Sequence, residues 1–440
     1  MPDRLKKPKV VPIPTYAVEF ERACRHRERA TGKSPTVTHT TRRSGAVCKW
    51  TLRVWALIFA IAWPLQSWAA DSDENVLATF NVARRGDALL VPVVLDGQSY
   101  QFLIDTGCTA SAVDESLKHL LETTPRTVRA GGNARARVYR FIGTLGGHAA
   151  LQVTSEAICV DLSRLSEAFG HKIDGILGMS ILKSHIIQVD CDSGTLAFLR
   201  AVPKTAREAL PLSYDRLERP IVHIELEPGE PVSFMVDTGL VGGAALVFRR
   251  FRFNGLVESG RVIPVGAPIL EISLFKENRF QMGRLDHVVI GPFRHERIRV
   301  SEGTDNAVGL NLLSRYIATL DFPHDRLFLR QQEQSNATDE FYDTGITIIR
   351  TAGETIVAEV GPDSAAEAAG VEAGDRITMV NGKSASAGTL FELRGVLAGS
   401  EREVGLEIAG KKGTREITVR PRDNSVSKIR PTSRNLQEKD

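Results

Sequence analysis

Apolar positions in this chain either alternate with polar ones or gather in short runs bounded by Gly, Asp and Pro. That spacing predicts strands joined by tight turns rather than alternating strand and helix units. From residue 89 the chain reads LLVPVVL, then Asp96-Gly97, then QSYQFLI. Asp-Gly between two such runs is a strong hairpin signal. The plan recurs further on: Val222, Ile224 and Leu226 share one face, Pro228-Gly229-Glu230 turns the chain, and the run 232–236 returns. Both returning runs end in the same tripeptide, Asp105-Thr106-Gly107 and Asp237-Thr238-Gly239. Each is followed at matching distance by two apolar residues and a glycine, Ile176-Leu177-Gly178 and Ala307-Val308-Gly309. The segments GILGMSILKSHIIQVD (175–190) and NAVGLNLLSRYIATLD (306–321) agree in plan, and a closing strand follows each. The pattern is a duplicated β unit of about 110–130 residues, long enough to bury a core.

A different unit follows. Residues 331–340 are polar and read as a linker. Beyond them lie an Ala-rich helix ending at Gly370, a hairpin turn at Asn381-Gly382, an amphipathic helix over 390–397 and a closing strand over 415–419. The tail 423–440 is polar and is expected to be disordered.

Charge changes the picture at the other end. Residues 1–53 hold 13 Lys or Arg and 4 Asp or Glu, whereas the whole protein has a net charge of +3. The remainder is therefore acidic on balance and offers no argument for nucleic acid. The apolar stretch 54–63 follows Arg53 and is short for a membrane span. Ser67 and Ala69 supply small residues for a cleavage site, so the region 54–69 predicts export, to the periplasm, with cleavage near Ala69. Left uncleaved, it would anchor the protein in a membrane. Cys24 and Cys48 precede that site; Cys108, Cys159 and Cys191 follow it, an odd number that argues against a disulfide scaffold. His287 and His295 have no third ligand in pattern and read as core or surface residues, so neither metal nor cofactor is expected.

A duplicated motif carrying one carboxylate per copy suggests a pair meeting across a pseudo-twofold axis. Two carboxylates about 3 Å apart cannot both ionise; they share a proton, one acting as base and the other as acid on a water. The two Asp-Thr-Gly copies with their apolar-apolar-Gly partners resemble the aspartic proteases of the retropepsin and pepsin type, over residues 79–330. The resemblance implies a mainly β protein with two pseudo-symmetric β-barrel lobes, 79–200 and 209–330. Asp105 and Asp237 would be the catalytic dyad. Thr106 and Thr238 would lock the loops together, Gly107 and Gly239 would leave room for substrate, and Gly178 and Gly309 would sit beneath them. Ala130-Gly131-Gly132-Asn133 is the candidate flap. Relatives mostly carry Ala, Ser or Thr after Asp-Thr-Gly; here Cys108 and Leu240 stand there. Lacking a hydroxyl, the dyad should have raised pKa values and an optimum nearer neutral.

The segment SAAEAAGVEAGDRITMVNG at 364–382 resembles PDZ domains of the bacterial type, over 341–422. The resemblance implies a groove for an extended peptide or for the carboxyl terminus of a polypeptide. Gly345, Ile346, Thr347 and Ile348 would form its carboxylate loop and strand, and the helix over 390–397 its opposite wall. A third copy, Asp343-Thr344-Gly345, follows aromatic residues instead of an aliphatic strand and is read as a non-catalytic turn in the linker region. The expected function is an exported aspartic endopeptidase acting on polypeptides. The alternative is a non-catalytic binding protein in which the PDZ-like domain carries the function. A serine protease would need a nucleophile turn that Gly178-Met179-Ser180-Ile181 does not supply.

Overall fold

The computed structural model describes residues 75–129, 135–272, 277–332, 339–398 and 402–423. The basic segment 1–53, the apolar segment 54–69, the candidate flap Ala130-Gly131-Gly132-Asn133, most of the linker and the tail 424–440 lie outside them. No helix among the described residues is long and apolar enough to cross a membrane.

The first hairpin forms as its sequence requires. Leu90–Leu95 pairs antiparallel with Gln98–Ile104, and Asp96 and Gly97 between them both have positive φ, 46° and 76°. A type I′ turn needs that geometry at both positions, which Asp-Gly tolerates. Val91, Val93 and Leu95 point inward at alternate positions. The sheet continues in the order Leu90–Leu95, Gln98–Ile104, Gly175–Leu177, Ser111–Asp114, Gln152–Val160, Arg135–Leu145, Glu122–Arg129, and Leu90–Leu95 also pairs with Arg135–Leu145. That extra pairing curls the sheet into a barrel-like form. The short strand Gly175–Leu177 is parallel to Gln98–Ile104 and antiparallel to Ser111–Asp114.

The second half repeats this almost strand for strand. Its sheet runs Ser213–Tyr214, Pro220–Glu225, Pro231–Val236, Ala307–Val308, Leu246–Arg249, Phe293–Gly303, Glu277–Ile290, Val262–Ile272. Again the short strand Ala307–Val308 lies parallel to the strand that delivers the aspartate, and a cross-pairing of Pro220–Glu225 with Glu277–Ile290 curls the sheet. A third sheet joins the halves in the order Val76–Asn81, Thr195–Leu199, Ile186–Asp190, Tyr316–Asp321, Arg326–Gln331, Ala209–Pro211. Its centre is the antiparallel pair Ile186–Asp190 and Tyr316–Asp321, where Gln188 Nε2 donates to Thr319 Oγ1 at 2.9 Å. One hydrophobic core passes through this sheet from Phe80, Leu196 and Phe198 to Leu320 and Leu327. The halves therefore share an interior.

The C-terminal domain has its own core, centred on Ile348, Val357, Leu390 and Ile408. Its sheet runs Ile346–Thr351, Glu354–Val360, Arg376–Val380, Val404–Gly410, Gly413–Val419, which leaves Ile346–Thr351 on an edge. Ser364 caps the helix Ala365–Ala368 by accepting from the Glu367 N–H. The helix Leu390–Ala398 buries Leu390, Leu393 and Leu397. Tyr342–Asp343 pairs with Arg422–Asp423, so Asp343 belongs to the closure of this domain rather than to the linker. The architecture is mainly β, as expected: two barrel-like halves followed by a small β domain.

Candidate active site

Gln98–Ile104 and Pro231–Val236 each run into Asp-Thr-Gly, and the two loops meet. The Asp105 N–H donates to Leu177 O and the Asp237 N–H to Val308 O, both at 3.0 Å. Thus the two apolar-apolar-Gly elements hold the loops from beneath. Gly178 and Gly309 are required there: a Cβ on Gly178 would stand 2.5 Å from Ala110 O, and one on Gly309 would stand 2.7 Å from Leu240 O.

Four hydrogen bonds bind the loops across the axis. Thr106 N–H donates to Thr238 Oγ1 at 3.1 Å and Thr238 N–H to Thr106 Oγ1 at 3.0 Å. Thr106 Oγ1 donates to Val236 O at 2.6 Å, and Thr238 Oγ1 to Ile104 O at 2.8 Å. Both threonines are buried, so water cannot replace these partners. Each aspartate lies over the other loop's glycine. A Cβ on Gly107 would come within 2.5–2.6 Å of the Asp237 carboxyl atoms, and one on Gly239 within 2.5–2.7 Å of those of Asp105. Only glycine admits that approach.

The two carboxyls are unequal. Burial raises the Asp105 pKa above the ordinary value, and hydrogen bonds from Cys108, through thiol and N–H, and from Gly107 and Asp237 oppose the rise. Asp237 is pushed up to about 8, chiefly by burial and then by the charge of Asp105. The N–H groups of Gly239 and Leu240 donate to Asp237 Oδ1 at 2.9 and 3.1 Å, but the Leu240 side chain has no proton to offer. The missing hydroxyl thus has a partial substitute in one half, where the Cys108 thiol serves, and none in the other. Both carboxyls are raised, so the pair holds a proton above the ordinary carboxylate range.

Asp105 and Asp237 line a cleft of about 790 Å³, within the range of substrate pockets. Three features of it were not foreseen. Arg219 lines the cleft and is held by Asp215 at 2.8 Å and Asp305 at 3.2 Å; its charge lowers the Asp237 pKa. It has no counterpart in the first half, so the repeat gave no signal for it. A second long hairpin, Val262–Ile272 with Glu277–Ile290, stands in the second half where Glu122–Arg129 with Arg135–Leu145 stands in the first. The C-terminal domain also contributes to the cleft: Gly345, Ile346, Thr347 and Ile348 all line it, as does Asp343. Asp343 accepts from the Gly345 N–H at 2.9 Å, and burial raises its pKa.

Among the described residues no group of three or more His, Cys, Asp or Glu is placed to hold a metal ion. His295 is buried against the Tyr316 hydroxyl, and His287 lies 3.3 Å from Glu227. Cys108, Cys159 and Cys191 are free thiols. Ser180 is buried among Ser111 and Ser155 hydroxyls.

Two family models match parts of the sequence. Residues 91–181, which span Asp105 and Gly178, match the aspartyl protease family Asp_protease_2. Residues 356–406 match the PDZ domain family PDZ_6. No curated protein matches the sequence. These two matches cover parts of the chain, an aspartyl protease domain and a PDZ domain, and support a protease with a peptide-binding domain.

Proposed function

We propose that the protein is a single-chain aspartic endopeptidase whose catalytic dyad is Asp105 and Asp237, each half contributing one Asp-Thr-Gly loop. The observation that carries this reading is the mutual seating of the loops, each carboxyl pressed on the other's glycine and cross-tied through Thr106 and Thr238. Ionised Asp105 takes a proton from the attacking water as oxygen bonds to the scissile carbonyl carbon. Asp237 gives its proton to the carbonyl oxygen. Collapse of the resulting diol breaks the C–N bond, returns a proton to Asp237 and passes the Asp105 proton to the leaving amine. No metal and no covalent intermediate enter this sequence. Proton transfers of this kind contribute roughly 10²–10⁴-fold.

The proposed lobes are 79–200 and 209–330, with the PDZ domain over 341–422. Export to the periplasm rests on the apolar segment 54–63 and the small residues Ser67 and Ala69; fractionation of cells expressing the tagged protein tests it. Asp105→Asn and Asp237→Asn test the chemistry. Each should lower kcat for an unfolded protein substrate by a thousandfold or so, about 4 kcal/mol in the barrier, with no loss of melting temperature. Variants that cleave as fast as wild type would refute the dyad; a wild type that cleaves nothing, with variants that keep full function, would favour the reading in which the PDZ domain carries the function.

A further inference from the structure

A PDZ groove lies between an edge strand and the facing helix, here Ile346–Thr351 and Leu390–Ala398. In this protein that position is taken. The protease helix Ser163–Phe169 packs directly on Ile346–Thr351. Arg394, on the facing helix, donates from one guanidinium nitrogen to Ala168 O at 2.6 Å and to Ile348 O at 2.9 Å. It thereby clips the end of the protease helix to the groove strand and occupies a carbonyl on which an added strand could pair. Gly170, which ends the protease helix with φ 73°, sits so close to the facing helix that a Cβ would be 2.6 Å from Leu390 Cγ. The loop that would receive a carboxylate is likewise engaged: the Thr344 N–H donates to Leu397 O at 3.1 Å and the Gly345 N–H to Asp343 Oδ1 at 2.9 Å.

We propose that the PDZ groove is an intramolecular docking site for the protease helix Ser163–Phe169, and that an extended peptide enters it only by displacing that helix. The same helix lines the catalytic cleft through Leu165, Ala168 and Phe169. A peptide in the groove therefore moves one wall of the cleft, and a wider cleft admits bulkier substrate. Docking within one polypeptide raises the local concentration of the helix toward the millimolar range, so weak peptides do not open it. The effect on turnover rests on the peptidase reading; the docking itself does not.

Hydrogen exchange on the full-length protein tests the docking through cross-effects. Arg394→Ala, on the PDZ side, should speed exchange of the Ser163–Phe169 amides about tenfold. Ala168→Arg, on the protease side, should speed exchange in Ile346–Thr351 by a similar factor. Leu90–Leu95 should stay protected in both. If each variant loosens only its own element, the proposal is overturned. Should either lose protection in Leu90–Leu95 as well, Arg394→Gln, which keeps a shorter donor, takes its place under the same criterion. Casein hydrolysis gives the second readout: Arg394→Ala should raise it several-fold, and an unchanged rate would overturn the coupling to the cleft. Activity that survives Asp105→Asn would defeat the peptidase reading while leaving the exchange result in force.

Discussion

Replacing Thr106 by Ala would remove one oxygen that serves two partners. It accepts from the Thr238 N–H at 3.0 Å and donates to Val236 O at 2.6 Å. Thr106 and Thr238 are 0% and 1% exposed, so both freed groups would stay buried and unpaired. An unsatisfied buried polar group costs about 1–3 kcal/mol, which gives about 2–6 kcal/mol for the pair. At roughly 2–4 °C per kcal/mol for a body of this size, the melting temperature should fall by on the order of 10 °C. Thr106→Ser keeps the oxygen and loses only a methyl, at a cost of about 0.8 kcal/mol. Thermal melts and urea titrations of wild type, Thr106→Ala, Thr106→Ser and Thr106→Ala/Thr238→Ala measure the series. The double variant should fall short of the sum of the singles, because both residues belong to one network. Equal stabilities for the Ala and Ser variants would refute the account, since the hydroxyl would then contribute nothing.

Gly107→Ala should lower kcat/KM by about a hundredfold or more, the scale of a 1 Å displacement at a reacting group, because its methyl would press on the Asp237 carboxyl; a fully active variant would show that the loops are further apart than described. Activity should fall as pH rises through about 8, where Asp237 loses the shared proton, and its acid limb should lie above 3.8 because Asp105 is raised as well; a peak below pH 4 would contradict both. Stability follows the same proton. The native state holds it between 3.8 and about 8 and the unfolded polypeptide does not, so stability falls as pH rises through that window. Asp237→Asn should therefore gain melting temperature over wild type at pH 9 but not below pH 3.8, and an equal difference at both would refute the assignment. Cys108→Ser supplies a stronger donor to Asp105 and should move the acid limb of the pH–rate profile to lower pH; an unmoved limb would show that the thiol does not act on the carboxyl.

The loop chemistry was legible because it is local and repeated. Asp-Thr-Gly after an aliphatic run marks a strand entering a tight turn, and the duplication indicated that two such turns belong together. Gly178 and Gly309 were readable as partners from their near-equal offsets from the aspartates, 73 and 72 residues. The cross-ties through Thr106 and Thr238 came only from the family resemblance, since nothing in the spacing shows which carbonyl a hydroxyl will find. Arg219 was not legible: its carboxylate partner Asp305 is 86 residues away, and the first half has no equivalent. Asp343-Thr344-Gly345 differs from the other two copies in its aromatic flank, and its place in the cleft depends on how the PDZ domain docks. That docking is set by contacts such as Arg394 with Ala168, 226 residues apart, and no periodicity reports them.

Strand Ile186–Asp190 leaves the ribosome about 130 residues before its neighbour Tyr316–Asp321. At 5–20 residues per second, the first half waits on the order of ten seconds with the edge of that strand bare. The surface best suited to cover it meanwhile is the same strand of another nascent polypeptide, since the sequences on either side of the seam are near repeats. Polysomes crowded with this message would favour such mispairing, and slow translation through residues 200–315 would lengthen the exposure.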